Sequence, residues 1–457
     1  MKNKILLSLV TASVLSTQVY ANNADDIKLL KAQVNDLQAY IEEVEETLEK
    51  AETKILVDKI KLGLGMRVEA NNFDTTYADG SSPKYEDIVY RTKLNINMKS
   101  KIADNLKFSG RLSSYKNWGD SNTDRAAMAN MDSRQGRTPD NNSVLFVERA
   151  YLDWSLNENS DYPMYLTIGR QASSDGPSYQ IKEGTARKGT YDALAFDGAA
   201  DGIVFTANLS KAVPGTTSFR VAYGTPNNGS TYNSNMKDTT VLGFFIDKTC
   251  DKISQEHLIQ IYTVKSKDLM ANPILADNQG RSLDKNVGDL DISGAMFEIQ
   301  NVKGFDFFAH YSYSVAKPNG ETVNLSTMGM TATEGLLTST DGDTEEKTGH
   351  AIWLGTRYNM NKIWSVGAEY NKGSQNWFSY TLAPNDSINK LATRGTATEI
   401  YVSKKINKYA NVRFGYVDID YDYTGSASWI GEARKITSTT NAIKEKTNTY
   451  LTFNLLF

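Results

Sequence analysis

The polar and apolar positions of this chain follow two periods, and the change between them falls near residue 59. Over 25–55 the spacing is heptad. Ile27, Val34, Ile41, Leu48 and Ile55 stand seven apart, and Leu30, Leu37, Val44 and Ala51 fall three residues after the first four. Apolar a and d positions over four heptads, with Glu42, Glu43, Glu45, Glu46 and Glu49 outside the stripe, predict an α-helical coiled-coil segment. Ile and Val at a with Leu at d favour two strands and also permit three, so these nine residues are the candidate oligomerisation seam. A lone amphipathic helix is the alternative.

From Lys59 the period becomes two. Leu62, Leu64, Met66 and Val68 alternate with Lys61, Gly63, Gly65 and Arg67, and the pattern recurs to the end of the chain. It predicts strands at 59–72, 88–100, 105–118, 144–157, 163–171, 193–208, 217–225, 239–248, 256–265, 289–300, 304–316, 348–359, 362–373, 396–406, 409–422 and 446–457. Connections alternate between tight turns, such as Asn301-Val302-Lys303, and long segments rich in Gly, Ser, Thr, Asn and Asp. An even strand count with lopsided connections predicts an all-β fold, a transmembrane antiparallel β-barrel of about 16 strands. Both chain ends then lie on the periplasmic side. Trp154, Tyr358, Trp364, Phe305 and Phe307 fall where a barrel carries its interfacial aromatics. Around 241–246, 258–264 and 295–299 both strand faces are apolar, which leaves bulges, a subunit contact or an inward-folded loop open.

Three resemblances follow from particular residues. The closing strand TNTYLTFNLLF, with Leu451, Phe453, Leu455 and Phe457 on one face, resembles the terminal strand of bacterial outer-membrane barrels. In that family this face is part of the signal read by the barrel-assembly machinery. The barrel after Lys59 is architecturally similar to sixteen-stranded general porins. More narrowly, FVERAYLDW (146–154) and TIGRQASSDGP (167–177) resemble segments of an uncharacterised porin-like family of Campylobacter-type, epsilon-class proteobacteria. The porin resemblance implies a water-filled channel for passive diffusion of small hydrophilic solutes or ions in a Gram-negative outer membrane. It also implies a homotrimer ahead of a dimer. The third long loop should narrow the lumen, making Asp175, Lys182, Glu183, Arg187, Lys188 and Asp192 candidate constriction residues, although the usual acidic motif is absent.

Composition fits this picture. The 457 residues are 40% hydrophobic with a formal net charge of −4, which gives no reason to expect a nucleic-acid partner. Residues 1–21 read as a signal peptide: Lys2 and Lys4, an apolar 5–15, and Val19-Tyr20-Ala21 as cleavage site. The expected parts are therefore 1–21 leader, 22–58 periplasmic coiled coil and 59–457 barrel. The lone Cys250 forms no intrachain disulfide and reads as a turn residue.

Candidate chemistry is confined to the wall. Lys61, Arg67, Arg91, Lys93, Lys107, Arg111 and Arg149 face inward on the first four strands as a basic, pore-lining arc, and such an arc favours anions in transit. Arg357, Glu369, Glu399 and Arg413 make a mixed wall opposite. The three His, at 257, 310 and 350, are scattered outside any nucleophile motif, so no catalytic residue is expected. No metal site and no cofactor are expected either. Two functions stay open: a diffusion channel, with anion preference as its sharper form, or a structural anchor whose coiled coil reaches the cell wall or a periplasmic partner.

Overall fold

The computed structural model describes residues 24–457, apart from 83–87, 119–144, 172, 199, 214, 232–234, 251, 254–255, 272–284, 328–329, 382 and 384. The leader expected at 1–21 lies outside the described residues. The chain divides into two units, 1–61 and 62–457.

Among the described residues the first unit contains one helix, α1 (Ala24–Lys59), of 36 residues. Its sequence holds neither Gly nor Pro and is rich in Lys, Glu, Leu and Ala, the residues that lose least on becoming helical. Side chains are described only within 28–47. There Val34 and Ile41 are half-buried, while Leu37 and Val44 are exposed. The side chains of Ile27, Leu30, Leu48, Ala51 and Ile55 lie outside the described residues.

In the second unit, sixteen strands among the described residues close into one barrel in chain order. They are β1 (Ile60–Tyr77), β2 (Val89–Ala103), β3 (Leu106–Asn117), β4 (Phe146–Ser155), β5 (Met164–Gln171), β6 (Ala200–Asn208), β7 (Thr217–Asn227) and β8 (Thr239–Lys248). Then come β9 (His257–Met270), β10 (Asn286–Val302), β11 (Phe305–Pro318), β12 (Lys347–Asn359), β13 (Trp364–Gly373), β14 (Gly395–Lys405), β15 (Ala410–Tyr421) and β16 (Ile443–Leu456). Closure is antiparallel, with Arg67 opposite Asn454 and Val68 opposite Phe453. Each of the sixteen expected strands coincides with one of these.

Period-two patterning explains which face goes where. Along β11 burial alternates residue by residue, with Phe305, Phe307, Tyr311 and Tyr313 outward and Phe308, His310 and Ser312 inward. Outside, Ile400, Ile261, Phe414 and Leu451 stand exposed. A closed sheet whose outer face carries exposed aliphatic and aromatic side chains all round is built to be solvated by lipid. Trp154, Trp364 and Tyr358 are exposed on this face too, and Phe305 stacks on Tyr358 at 4.5 Å beside a short turn.

The interior is not an open tube. Long connections fold inward, and the apolar clusters mix inward strand residues with loop residues. Tyr191 and Phe196 from the β5–β6 loop pack on Phe245 of β8 and Tyr262 of β9. Trp377 and Leu391 from the β13–β14 loop join Phe308 and Trp353. The two loops also pair directly as a short parallel ladder, Tyr380 beside Phe196 and Thr381 beside Asp197. This accounts for β8, β9 and β10 being apolar on both faces: one face meets lipid and the other meets a folded-in loop.

A loop-filled lumen as candidate functional site

The β5–β6 loop carries one short helix, α2 (Tyr179–Glu183), whose five residues place polar side chains in several directions. Ser178 and Gln180 bond Glu298 of β10 at 2.6 and 2.8 Å. Lys182 reaches Glu399 of β14 at 3.1 Å. Glu183 lies between Arg67 of β1 at 2.6 Å and Arg413 of β15 at 2.9 Å. The carbonyl of Ile181 accepts from Arg357 of β12 at 2.9 Å. Upstream, Asp175 pairs with Arg111 of β3 at 2.9 Å and Arg149 of β4 at 3.3 Å. Only a segment lying inside the barrel can touch so many separate strands.

The seven residues expected as a basic arc fall into two sets. Arg67, Arg91, Lys93, Arg111 and Arg149 face inward, but all are buried and set among carboxylates. Arg91 donates to Glu69 through Nε at 3.1 Å, and Arg111 meets Glu148 at 3.0 Å as well as Asp175. Lys93 Nζ sits 3.9 Å from Glu148 and donates to Asn385 at 3.1 Å. Lys61 and Lys107 are exposed and stand outside this network. An arc of bare cations is therefore replaced by an ion-paired lattice. Two acids outside the expected arc neutralise it. Glu69 follows Arg67 by two residues and so shares its face. Glu148 points inward beside Arg149 because a bulge interrupts the β3–β4 register between Arg111 and Leu112.

Opposite, Lys390 from the β13–β14 loop lies 2.7 Å from Glu369 and also pairs with Glu399, which accepts from the Tyr450 hydroxyl. Arg394 is fully buried and donates to the carbonyls of Trp377, Thr424 and Ser428 at 3.0, 3.0 and 2.7 Å. It ties the β13–β14 and β15–β16 loops together. Of the remaining expected loop residues, Arg187 is 3.8 Å from Glu298, and Lys188 is exposed while its carbonyl accepts from Arg149.

Electrostatics favour the docked loop. Burial alone would raise the Asp175 carboxyl, but Lys93, Arg111 and Arg149 outweigh it and hold it well below the usual carboxylate range. Glu183 is likewise lowered against burial by Arg413 and Arg67. Asp197 goes the other way. Burial, with the Asp175 charge nearby, pushes its carboxyl up to about 8.

His310 stands in a line that the sequence did not reveal. Its Nδ1 is 2.6 Å from Asp192, and its Nε2 is 3.1 Å from the Ser178 hydroxyl. The order Ser–His–Asp is that of a nucleophile with its base, but such a site needs room for a reacting carbonyl near 3 Å. Ser178 is 1% exposed and His310 2%, Glu298 engages the same hydroxyl, and Trp353 covers the imidazole at 4.7 Å. Neither cavity described below is lined by Ser178 or His310. The trio works here as a buried strut between loop and wall.

Below the loop, at the short-turn end, lies a polar cavity of about 950 Å³. Its lining includes Arg67, Asn97, Glu183, Lys188, Asn301 and Lys408. At the long-loop end is a second, largely apolar cavity of about 610 Å³. The closing strand has Leu451 and Phe453 outward and Tyr450 and Thr452 inward, and the Phe457 carbonyl accepts from the Leu64 amide at 2.7 Å. Cys250 is a free, half-buried thiol in the β8–β9 turn. Among the described residues no group of His, Cys, Asp and Glu is arranged to hold a metal ion.

A family profile described as "Protein of unknown function (DUF3373)" matches residues 83–457. The chain belongs to that family. No curated protein matches it. Among solved structures, this family member is similar to "OmpT (in-vitro folded), an outer membrane protein Vibrio cholerae (trimer form)", at 12% identity and TM-score 0.46, over 87% of this chain and 99% of that one. It is also similar to "Salmonella typhi OmpF complex with Daunomycin", at 12% identity and TM-score 0.47, over 88% and 98%.

Proposed function

We propose that this protein is an outer-membrane channel for small hydrophilic solutes or ions, closed at mid-height by its own β5–β6 loop. The observation that carries the reading is the loop's attachment. Besides the apolar packing of Tyr191 and Phe196, it is held by charged and polar groups inside a lipid-facing barrel, beside a polar chamber, and such contacts exchange with water at modest net cost. A loop sealed by apolar packing alone would not. In this reading Ser178 and His310 take no part beyond holding the loop, since both are buried.

Anion preference remains part of the proposal in altered form. Eight Lys and Arg against four Asp and Glu line the polar chamber. With the arc paired, the cationic surplus falls to the exposed Lys188, Lys362, Lys405 and Lys408. Lysines at a wet mouth bias entry towards anions without binding them tightly. The test is recording of the reconstituted barrel in a planar bilayer under a KCl gradient. Discrete steps with an anionic reversal potential support the reading, and a folded barrel that stays silent at every voltage and pH rejects it.

The finer assignments belong to the same proposal: cleavage after Ala21, both ends periplasmic, Leu451, Phe453, Leu455 and Phe457 engaging the barrel-assembly machinery, and an epsilon-proteobacterial source. The a/d seam of α1 would assemble three copies, or two. An anchoring role has one observation in its favour: 36 residues of continuous helix span about 54 Å, enough to reach a periplasmic partner or the cell wall.

A further inference from the structure

At the short-turn end, the polar chamber is bordered by groups that the ion-paired lattice does not use. The β12–β13 turn brings Asn361 and Lys362 to its lining, and the hairpin of β14 and β15 brings Lys405, Asn407, Lys408 and Asn411. The two turns are neighbours. Trp364 stands opposite Lys404 in the β13–β14 register, and the Lys405 amide donates to the Ile363 carbonyl at 2.8 Å. Neither 359–365 nor 403–411 contains an Asp or Glu. Among the described residues Lys362 and Lys405 have no ion-pair partner, and the Lys408 ammonium lies 4.6 Å from the centre of the Tyr409 ring. Of the chamber's acids, Asp175 and Glu183 are already paired, Asp306 on β11 accepts from Asn301 and Asn359, and Glu256 belongs to the β8–β9 turn.

The three amides are turned the same way. Asn361 Oδ1 accepts the backbone amides of Ile363 and Trp364 at 2.8 and 2.9 Å. Asn407 Oδ1 accepts those of Tyr409 and Ala410 at 2.8 and 2.9 Å. Asn411 Oδ1 accepts from Asn454 Nδ2 at 3.0 Å, and Asn454 is itself oriented by Arg67 Nε, which donates to its Oδ1 at 2.8 Å. Each oxygen is therefore occupied by a protein donor. Each Nδ2 is left without a protein partner, on a residue that is exposed or half-buried, and none is shut away from water. Lysine has donors only, so the two turns together present hydrogen-bond donors and positive charge with their amide acceptors consumed.

We propose that these two turns bind small oxyanions, the class that includes carboxylates and phosphate. An oxyanion only accepts hydrogen bonds, and bonds to it from ammonium and amide groups are the strong, charge-assisted kind. A polyol would bring hydroxyl hydrogens to a place whose amide oxygens are taken. Lys405 and Asn411 stand directly opposite one another, which sets their Cβ atoms about 5 Å apart, so the two oxygens of one carboxylate can take a bond from each. A monatomic anion has no second atom to offer. Such a site names the solute class of the proposed channel and rests on that reading for its role in transport; binding itself requires no conduction.

The test is a saturation-transfer NMR titration of acetate at pH 7 onto the full-length protein in zwitterionic lipid nanodiscs, referenced to empty discs. Glucose is the polyol control, and phosphate and chloride are competitors. Saturable acetate binding is expected, displaced by phosphate at lower concentration than by chloride, with no glucose signal above empty discs. Asn407→Asp keeps the acceptor that holds its turn and puts an anionic oxygen in place of Nδ2. Lys405→Met removes one ammonium. Each should weaken acetate at least about fivefold, whereas Lys303→Met, an equal charge change on the β10–β11 turn, should weaken it less than about twofold. An acetate signal no greater than that of empty discs, glucose binding equal to acetate, chloride displacing acetate as readily as phosphate, or equal losses in Lys303→Met and the site variants would overturn the assignment. Binding in a barrel that does not conduct would count against the channel and leave the site standing, and conduction without binding would do the reverse.

Discussion

Replacing Glu183 by Gln keeps the shape of the α2 end and removes one charge. That carboxylate is shared by Arg67 and Arg413, which reach it from β1 and β15 at 2.6 and 2.9 Å. Its side chain is 12% exposed and those of the arginines 10% and 3%, so solvent screening is small. Breaking a buried pair typically costs about 3–5 kcal/mol, because the partner is left uncompensated. Gln retains one acceptor, which places the expected loss at the lower end, about 3 kcal/mol. If the loop closes the pore, that loss falls on the closed state and raises the open population about a hundredfold. Single-channel open probability at pH 7 reads the change directly, and protease access to residues 185–190 reads the same motion from outside the bilayer. Open probability within twofold of wild type, in a barrel of unchanged thermal stability, would refute the idea that Glu183 holds a gate.

Acid should open the channel. Asp175 and Glu183 are lowered from 3.8 and 4.5, so their contribution to docking is complete above those values and is lost as pH falls through the lowered ones; conductance should climb below pH 4. Asp197 acts with the opposite sign. Its carboxyl rises from 3.8 to about 8, so it costs increasing stability across that window, and Asp197→Asn should stabilise the loop at pH 9 more than at pH 4, read by protease protection. Arg394→Met leaves the buried Trp377 carbonyl without its donor, at about 1–3 kcal/mol, and the half-buried carbonyls of Thr424 and Ser428 at less, and should loosen the β13–β14 and β15–β16 loops in hydrogen exchange while the strands stay protected. Deleting 25–55 should abolish self-association by light scattering and leave single-channel steps intact.

The barrel was legible because period two survives wherever lipid lies on one side and water or polar groups on the other. It failed where that premise failed. At 241–246 and 258–264 the interior is neither water nor lipid but Tyr191 and Phe196, so the alternation fades and the pattern names no partner. The neutralised arc had one readable half: Glu69 sits two residues from Arg67, on the same face. Its other half was hidden, because the bulge that turns Glu148 and Arg149 inward together breaks the parity on which the reading depends. His310 lies 118 positions from Asp192 and 132 from Ser178, a convergence that depends on a loop's path and not on any local spacing. The loop's acids and bases were singled out as constriction candidates; their individual partners, one strand each around the wall, required the fold.

The most direct test of the loop-gated channel is to record wild type beside a variant whose residues 176–196 are replaced by a short Gly-Ser linker, both in the same planar bilayer system. A wild type that opens only in brief flickers at neutral pH and large, steady, ohmic steps from the variant are predicted. Indistinguishable traces from two folded barrels would contradict the account.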